Sequence, residues 1–209
     1  MVRRTKEEAE QTRRQILDAA RATFHLRGVG NTSLEHIAQA AGLTRGAIYW
    51  HFANKEELFK AMCDEVTIAL VDRMDYALLL DPEADPLERV RNFLQQLVDA
   101  LSEDGGLRCT MEILNFKCEF VGEMQRDLAD YIEHSEECLA KLQQAYQAAQ
   151  RDGQLRAGLA PRRAALETLI FLTGLLRLRL LGMPVLQKGS ELKGVIGAHV
   201  DGMRVAATA

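Results

Sequence analysis

Proline is scarce, four in 209 residues, and with 47% hydrophobic content this excludes a disordered or collagen-like chain. Cysteine is equally scarce: Cys63, Cys109, Cys118 and Cys138 form no C-x-x-C pair and no regular framework. That argues against a disulfide scaffold and a zinc site, so reduced thiols and a cytoplasmic location are expected, with no metal or cofactor. Long apolar runs are missing too. The opening MVRRTKEEAEQT lacks the apolar core of a secretory signal, and the longest apolar stretch, 164–181, is broken by Glu167, Arg177 and Arg179. A bilayer span needs roughly 20 mostly uncharged residues, so this stretch reads as a buried helix, and no membrane partner is expected. Finally there is no basic excess: 26 Lys+Arg against 30 Asp+Glu gives a net of -4, which taken whole argues against a general nucleic-acid binder.

The charge is unevenly placed. Residues 1–60 carry ten basic and seven acidic side chains, a net of +3, and residues 61–209 carry 16 and 23, a net of -7. A basic head on an acidic body is the first functional clue.

The hydrophobic period is helical almost throughout, without a strand pattern, an internal repeat or a low-complexity tract. Residues 8–27 place Ile16, Ala19, Ala20 and Phe24 near one face, with Gly28 as a stop. Thr32 with Glu35 reads as a capping box opening a short helix that closes at Gly42. Thr44 caps a helix over 45–51, and Asn54 with Glu57 opens a long one toward Leu80. The middle pair is separated by a three-residue turn containing Gly42, which is helix-turn-helix spacing. After the linker 81–86, further helices are expected at 87–102, 107–118, 123–151, 162–182 and 189–206.

The stretch Thr44-Arg45-Gly46-Ala47-Ile48-Tyr49-Trp50-His51-Phe52 has the make-up of a recognition helix. Gly46 and Ala47 keep its start slim enough for a major groove about 12 Å wide, and Arg45 is in the first turn, where a side chain reaches a base edge. Thr44, Tyr49, His51 and Lys55 offer donors to phosphate oxygens, and the helix starts at Thr32-Ser33 and Asn54 offer backbone N–H groups. Arg3, Arg4 and Lys6 form a basic arm for the DNA backbone or a minor groove, or are solvated charge. Phe24, Ile48 and Phe52 are expected in the core, Tyr49 and Trp50 on either side of it, and His25 and His36 at the surface or in packing.

The run from Ile16-Leu17-Asp18-Ala19-Ala20 through Phe24, Gly28, Thr32, Ile37-Ala38 and Ala41-Gly42 to Thr44–Leu58 resembles the DNA-binding domain of the tetracycline-repressor (TetR) family. MVRRTKEEA and TRGAIYWHF look most like its AcrR/TtgR type, the subgroup that represses multidrug efflux pumps. The resemblance implies an all-α fold: an N-terminal three-helix DNA-binding domain with helix-turn-helix at 1–54, and a C-terminal helical bundle at 55–209 for ligand binding and dimerisation. It implies a homodimer on pseudo-palindromic double-stranded operator DNA, released by a hydrophobic or drug-like small molecule. The positions matching Tyr49, His51 and Lys55 would hold phosphates, and Thr44, Arg45 and Gly46 would lie near bases, with Thr32, Ser33, Trp50 and Asn54 in the same surface.

In the body, Leu107, Met111, Leu114, Asn115 and Cys118 fall on one stripe, as do Met124, Leu128, Tyr131, Ser135, Cys138, Leu142 and Ala145. Helix 162–182 is apolar nearly all round, so it is expected to be buried, with Arg177 or Arg179 set against a partner, a polar cavity or a helix end. The effector candidates are Leu94, Val98, Met111, Asn115, Cys118, Cys138, Phe171 and Arg177; for the apolar ones the alternative is plain core. The segment 189–206, with Gly194, Gly197, Ala198, Gly202 and Ala206, joins 162–182 in the expected dimer interface, the alternative being a frayed end. A helical enzyme lacks support, since no G-x-S-x-G, P-loop or H-E-x-x-H is present. A dimeric interaction protein without DNA binding, and a TetR-type regulator of an unrelated metabolic operon, stand as alternatives.

Overall fold

The computed structural model describes residues 6–79, 85–119 and 125–205. The order is α1 (Lys6–Arg27), α2 (Leu34–Ala41), α3 (Arg45–His51), α4 (Lys55–Leu79), α5 (Pro86–Glu103), α6 (Gly105–Phe116), α7 (Gln125–Arg151), α8 (Pro161–Leu180) and α9 (Gly189–Asp201). The all-α expectation holds. Among the described residues, a lone bridge between Leu155 and Arg204 is the one extended pairing, and no helix is long and apolar enough to cross a membrane.

Two compact units emerge, Met1–Ile68 with Asp104–Leu128, and Ala69–Glu103 with Ala129–Ala209. The division differs from a boundary after residue 54, because the first part of α4 and all of α6 go with the N-terminal helices. The cause is apolar. Leu58, Phe59 and Met62 of α4 and Ile113 of α6, each 0% exposed, share one core with Ile16, Phe24, Ile37, Ile48 and Phe52. Phe24 meets Phe59 edge to face, with ring centroids 5.7 Å apart. Polar ties bind α6 to α1 as well: Arg21 Nε donates to Thr110 Oγ1 at 3.0 Å, and His25 pairs with Glu112 at 2.7 Å.

The local signals at the helix ends act largely as expected. Gly28 and Gly42 end α1 and α2 at φ +80° and +65°, a region that penalises any side chain. Thr44 accepts from Ala47 N–H, and Asn54 Oδ1 from Glu57 N–H. One cap is corrected. Ser33, not Thr32, caps α2, and its capping-box partner is His36, not Glu35. Thr32 is buried, and its hydroxyl donates to the Gly28 carbonyl at 2.7 Å, so it braces the α1–α2 loop.

The second unit packs Leu78, Leu87, Val90, Leu94, Val98, Leu142, Tyr146 and Ile196 into one core. Here α8 departs from the expectation of complete burial. Ala164, Ala165, Thr168, Leu172, Leu175 and Arg179 face the core, whereas Leu166, Ile170, Leu178 and Leu181 are 47%, 64%, 45% and 61% exposed. Of the two nearby arginines, Arg179 is buried, one turn beyond Leu175 on the core stripe, and Arg177 is exposed. The last helix stops at Asp201 and not at 206. The chain then folds back, with Arg156 N–H donating to the Met203 carbonyl and Arg204 pairing with Asp85 and Glu88. Within this unit Tyr146 Oη and Thr168 Oγ1 lie 2.6 Å apart, Thr168 Oγ1 and His199 Nε2 2.9 Å apart, and Phe171 stacks on His199 at 4.1 Å.

Candidate nucleic-acid interface

Two helix starts and one helix face meet on the exposed side of the first unit. The N-terminal ends of α2 and α4 and the outer face of α3 enclose an open concavity of about 390 Å³, lined by Thr32, Ser33, Glu35, Arg45, Tyr49, Asn54 and Lys55 among others. Each helix start aims backbone N–H groups and a partial positive charge outward, which favours phosphate. Local sequence produces this arrangement: the αL turn at Gly42 redirects the chain, and buried Ile48 and Phe52 anchor α3 with its other face outward.

Arg45 is exposed, and in the free protein it folds onto Tyr49. Its guanidinium donates to the Tyr49 hydroxyl at 2.8 Å and lies 5.2 Å from the ring centroid. That hydrogen bond, aided by the charge of Glu35, raises the Arg45 pKa above its ordinary value. The pair holds a five-donor fork at the mouth of the groove, a geometry suited to a guanine edge. Gly46 leaves the start of α3 open: an added Cβ would meet nothing nearer than Thr44 Oγ1 at 3.9 Å. Lys55 donates to the Val29 carbonyl at 3.0 Å, and an ammonium keeps two further donors.

Six of the sequence candidates therefore share the groove: Thr32, Ser33, Arg45, Tyr49, Asn54 and Lys55. Thr32 contributes no free hydroxyl proton there. Thr44, Gly46, Trp50 and His51 are outside the groove lining; Trp50 is 69% exposed and meets His51 edge to face at 4.6 Å. Arg3 and Arg4 lie outside the described residues. Glu35 was missed by sequence reasoning, which read it as a capping partner. Its signal was an exposed acid in the first turn of the helix that precedes the recognition helix.

The effector candidates fall in both units. In the first, Met111, Asn115 and Cys118 are half-buried, and Asn115 Nδ2 donates to the Met111 carbonyl of its own helix at 2.9 Å. The buried stripe of α6 is Leu107, Thr110 and Ile113, and not the expected 107/111/114/118, since α1 covers that side; Cys118 lies past the helix end. In the second unit, Leu94 and Val98 are fully buried, with Cys138 and Phe171 packed on the same core. Burial pushes the Cys138 thiol up to about 11, so it behaves as a small neutral hydrophobe. Tyr131, expected on the buried stripe of α7, is 41% exposed. Arg177, exposed on α8, is not the buried polar anchor that its sequence setting suggested. No group of three metal-ligating side chains occurs among the described residues.

Residues 16–62 match the bacterial regulatory proteins of the tetR family, and 85–201 match the MAATS-type transcriptional repressor C-terminal region. The chain is 42% identical over 201 residues to the HTH-type transcriptional regulator TtgR of Pseudomonas putida, covering 96% of this chain and 93% of that one. It is 37% identical over 182 residues to AcrR of Shigella flexneri, covering 84% and 81%. Among solved structures, NalD of Pseudomonas aeruginosa, the secondary repressor of the MexAB-OprM multidrug efflux pump, superposes with a TM-score of 0.81 at 30% identity, over 97% of this chain and 100% of that one. A SmeT–triclosan complex superposes with a TM-score of 0.79 at 30% identity, over 93% and 92%. A helix-turn-helix head matching the tetR family over 16–62, followed by a MAATS-type repressor region over 85–201, makes this chain a member of the tetR family of bacterial transcriptional regulators.

Proposed function

We propose that the chain is a ligand-responsive repressor of a multidrug efflux operon, acting as a homodimer on a pseudo-palindromic operator. The observation that carries this reading is the groove, where Ser33, Arg45, Tyr49, Asn54 and Lys55 converge beside the slim start of α3. Arg45 reads a base edge, preferably guanine, with Thr44 and Gly46 close by. Ser33, Tyr49, His51, Lys55 and the N-termini of α2 and α4 hold phosphates. Arg3 and Arg4 follow the backbone. NalD is described as an efflux-pump repressor, and SmeT was solved with triclosan, which supports a drug-like effector for this chain too.

The exposed apolar stripe of α8, with Val195 of α9 at 41% exposure, is the surface we assign to the dimer. Four helices, two from each protomer, would cover it. The effector would lie in the second unit, among Leu94, Val98, Cys138 and Phe171. Helix α4 runs unbroken from Lys55 to Leu79 and belongs to both units, so it is the element through which an effector would alter head spacing. Two heads in successive major grooves need half-sites roughly 34–36 Å apart, and a coupling of about 1–3 kcal/mol changes DNA affinity roughly 5–150-fold.

Footprinting on the intergenic DNA beside the gene tests this reading, with and without hydrophobic drugs and across a salt series. A protected pseudo-palindrome that one compound releases is the expected result, with affinity falling steeply as salt rises. No protection at low salt would sink the proposal.

A further inference from the structure

Of the side chains that line the groove of the first unit, three carry charge: Glu35, Arg45 and Lys55. The two cations suit a phosphate-binding surface, and the acid does not. Its place is fixed by packing. Leu34, Ile37, Ala38 and Ala41 bury the inner stripe of α2, so Glu35 stands exposed in the first turn. The cap leaves it aside as well, since Ser33 and His36 complete the capping box. Glu57, the acid bonded to the lining residue Ala53, accepts from its N–H at 2.6 Å and so serves the start of α4.

The two cations are held differently. Lys55 is anchored by the Val29 carbonyl at 3.0 Å. Arg45 is exposed on a long stem, donating to the Tyr49 hydroxyl at 2.8 Å with its guanidinium 5.2 Å from the ring centroid. A guanidinium so placed has two destinations on a duplex: a base edge in the major groove, or a phosphate oxygen beside it. The Tyr49 hydrogen bond foremost, and the Glu35 charge to a lesser degree, raise the Arg45 pKa, so both favour the cation where it stands.

We propose that Glu35 is a positioning residue for Arg45: its carboxylate holds the guanidinium toward the base edges and off the phosphates, so that the groove rejects duplex lacking the operator sequence. The proposal rests on the operator-binding reading above and adds what sets its selectivity. On a non-cognate duplex Arg45 gains a phosphate only by leaving the attraction of Glu35. On operator a guanine edge is neutral and accepts two of its donors, so that attraction is kept. Specificity rises because the competing complex is weakened, without a new contact to the cognate one.

The test is fluorescence anisotropy of the full chain on two duplexes across a salt series: the intergenic duplex protected in footprinting, and a shuffled one of equal length and composition. E35Q is expected to tighten the shuffled duplex roughly 3–10-fold and the protected one by under about 2-fold, so their ratio falls. The log–log salt slope on the shuffled duplex should steepen by about one per head, the mark of an added phosphate contact. E35D keeps most of the wild-type ratio. In an R45A background, E35Q should change either affinity by under about 2-fold. Equal tightening of both duplexes, tightening of neither, or a gain that persists in R45A overturns the positioning role. Loss of the protected duplex in E35Q also overturns it, because Glu35 would then contact a base itself. A melting point lowered in E35Q with the affinity ratio unchanged leaves Glu35 acting on the α2 dipole alone, and overturns it too. Wild type that binds neither duplex at low salt sinks the regulator reading, whereas wild type that selects the protected duplex, with the ratio unmoved in E35Q, sinks the role of Glu35 alone.

Discussion

At the residue scale, Arg45 is the clearest candidate for reading a base, since it is exposed and held by Tyr49 alone among the described side chains. Arg45→Ala is expected to remove about 1–3 kcal/mol of discrimination at one base pair per half-site. Stability should stay within about 0.5 kcal/mol, as for exposed positions generally. Gel shifts on single-base operator variants, beside a melting curve, read both. His199 is a different case. With a neutral ring, Tyr146 donates to Thr168 and Thr168 donates to His199 Nε2, so the chain is satisfied. Protonating Nε2 turns it into a donor to Thr168 Oγ1, which then accepts from both His199 and Tyr146, so the buried Thr168 hydroxyl proton loses its acceptor. Burial lowers the His199 pKa below its usual 6.5, against the opposing charge of Glu167. The unfolded chain then binds the proton more readily, so stability falls as pH drops through about 6.5 toward the lower folded value. Urea unfolding at several pH values should show this slope flattened in His199→Gln; an unchanged slope would assign it to other groups.

At the element scale, the helix-turn-helix depends on Gly42. Its φ of +65° is one that a side chain resists, and an added Cβ would meet nothing within 4 Å, so strain alone is at issue. Gly42→Ala should cost about 1 kcal/mol and lower the melting point without altering base preference. The short helices were legible because their signals are local: Thr44, Asn54, Gly28 and Gly42 act on backbone groups within a few residues. The Ser33 cap was misread as Thr32 because both are capping types in adjacent positions. What separates them is the buried Gly28 carbonyl that Thr32 engages, a contact set by the loop fold. The same limit explains α6 and α8. Their apolar residues wrap around the helix, so periodicity could not say which stripe faces inward, and Arg177 was chosen over Arg179.

At the scale of the whole molecule, the outward stripe of α8 leaves Leu166, Ile170, Leu178 and Leu181 too exposed for an isolated chain, which motivates the dimer. Ile170→Glu, at the most exposed of these, should halve the mass seen by light scattering. Operator affinity should weaken on the order of 100-fold or more as the two heads lose their linkage. A mass unchanged by the substitution would place the interface elsewhere. The net charge of -4 becomes informative once divided, since the basic excess lies in residues 1–60, which form the groove. The sequence alone determined the helical fold, the head and its candidate reading residues, because these rest on contiguous spacing, caps and turns. Tertiary structure alone decided that α6 packs with the head, that α8 presents an apolar outer face, and that Arg179 and not Arg177 faces the core. Each of those depends on which side of a helix its neighbours cover, and side-chain periodicity carries no record of the neighbour.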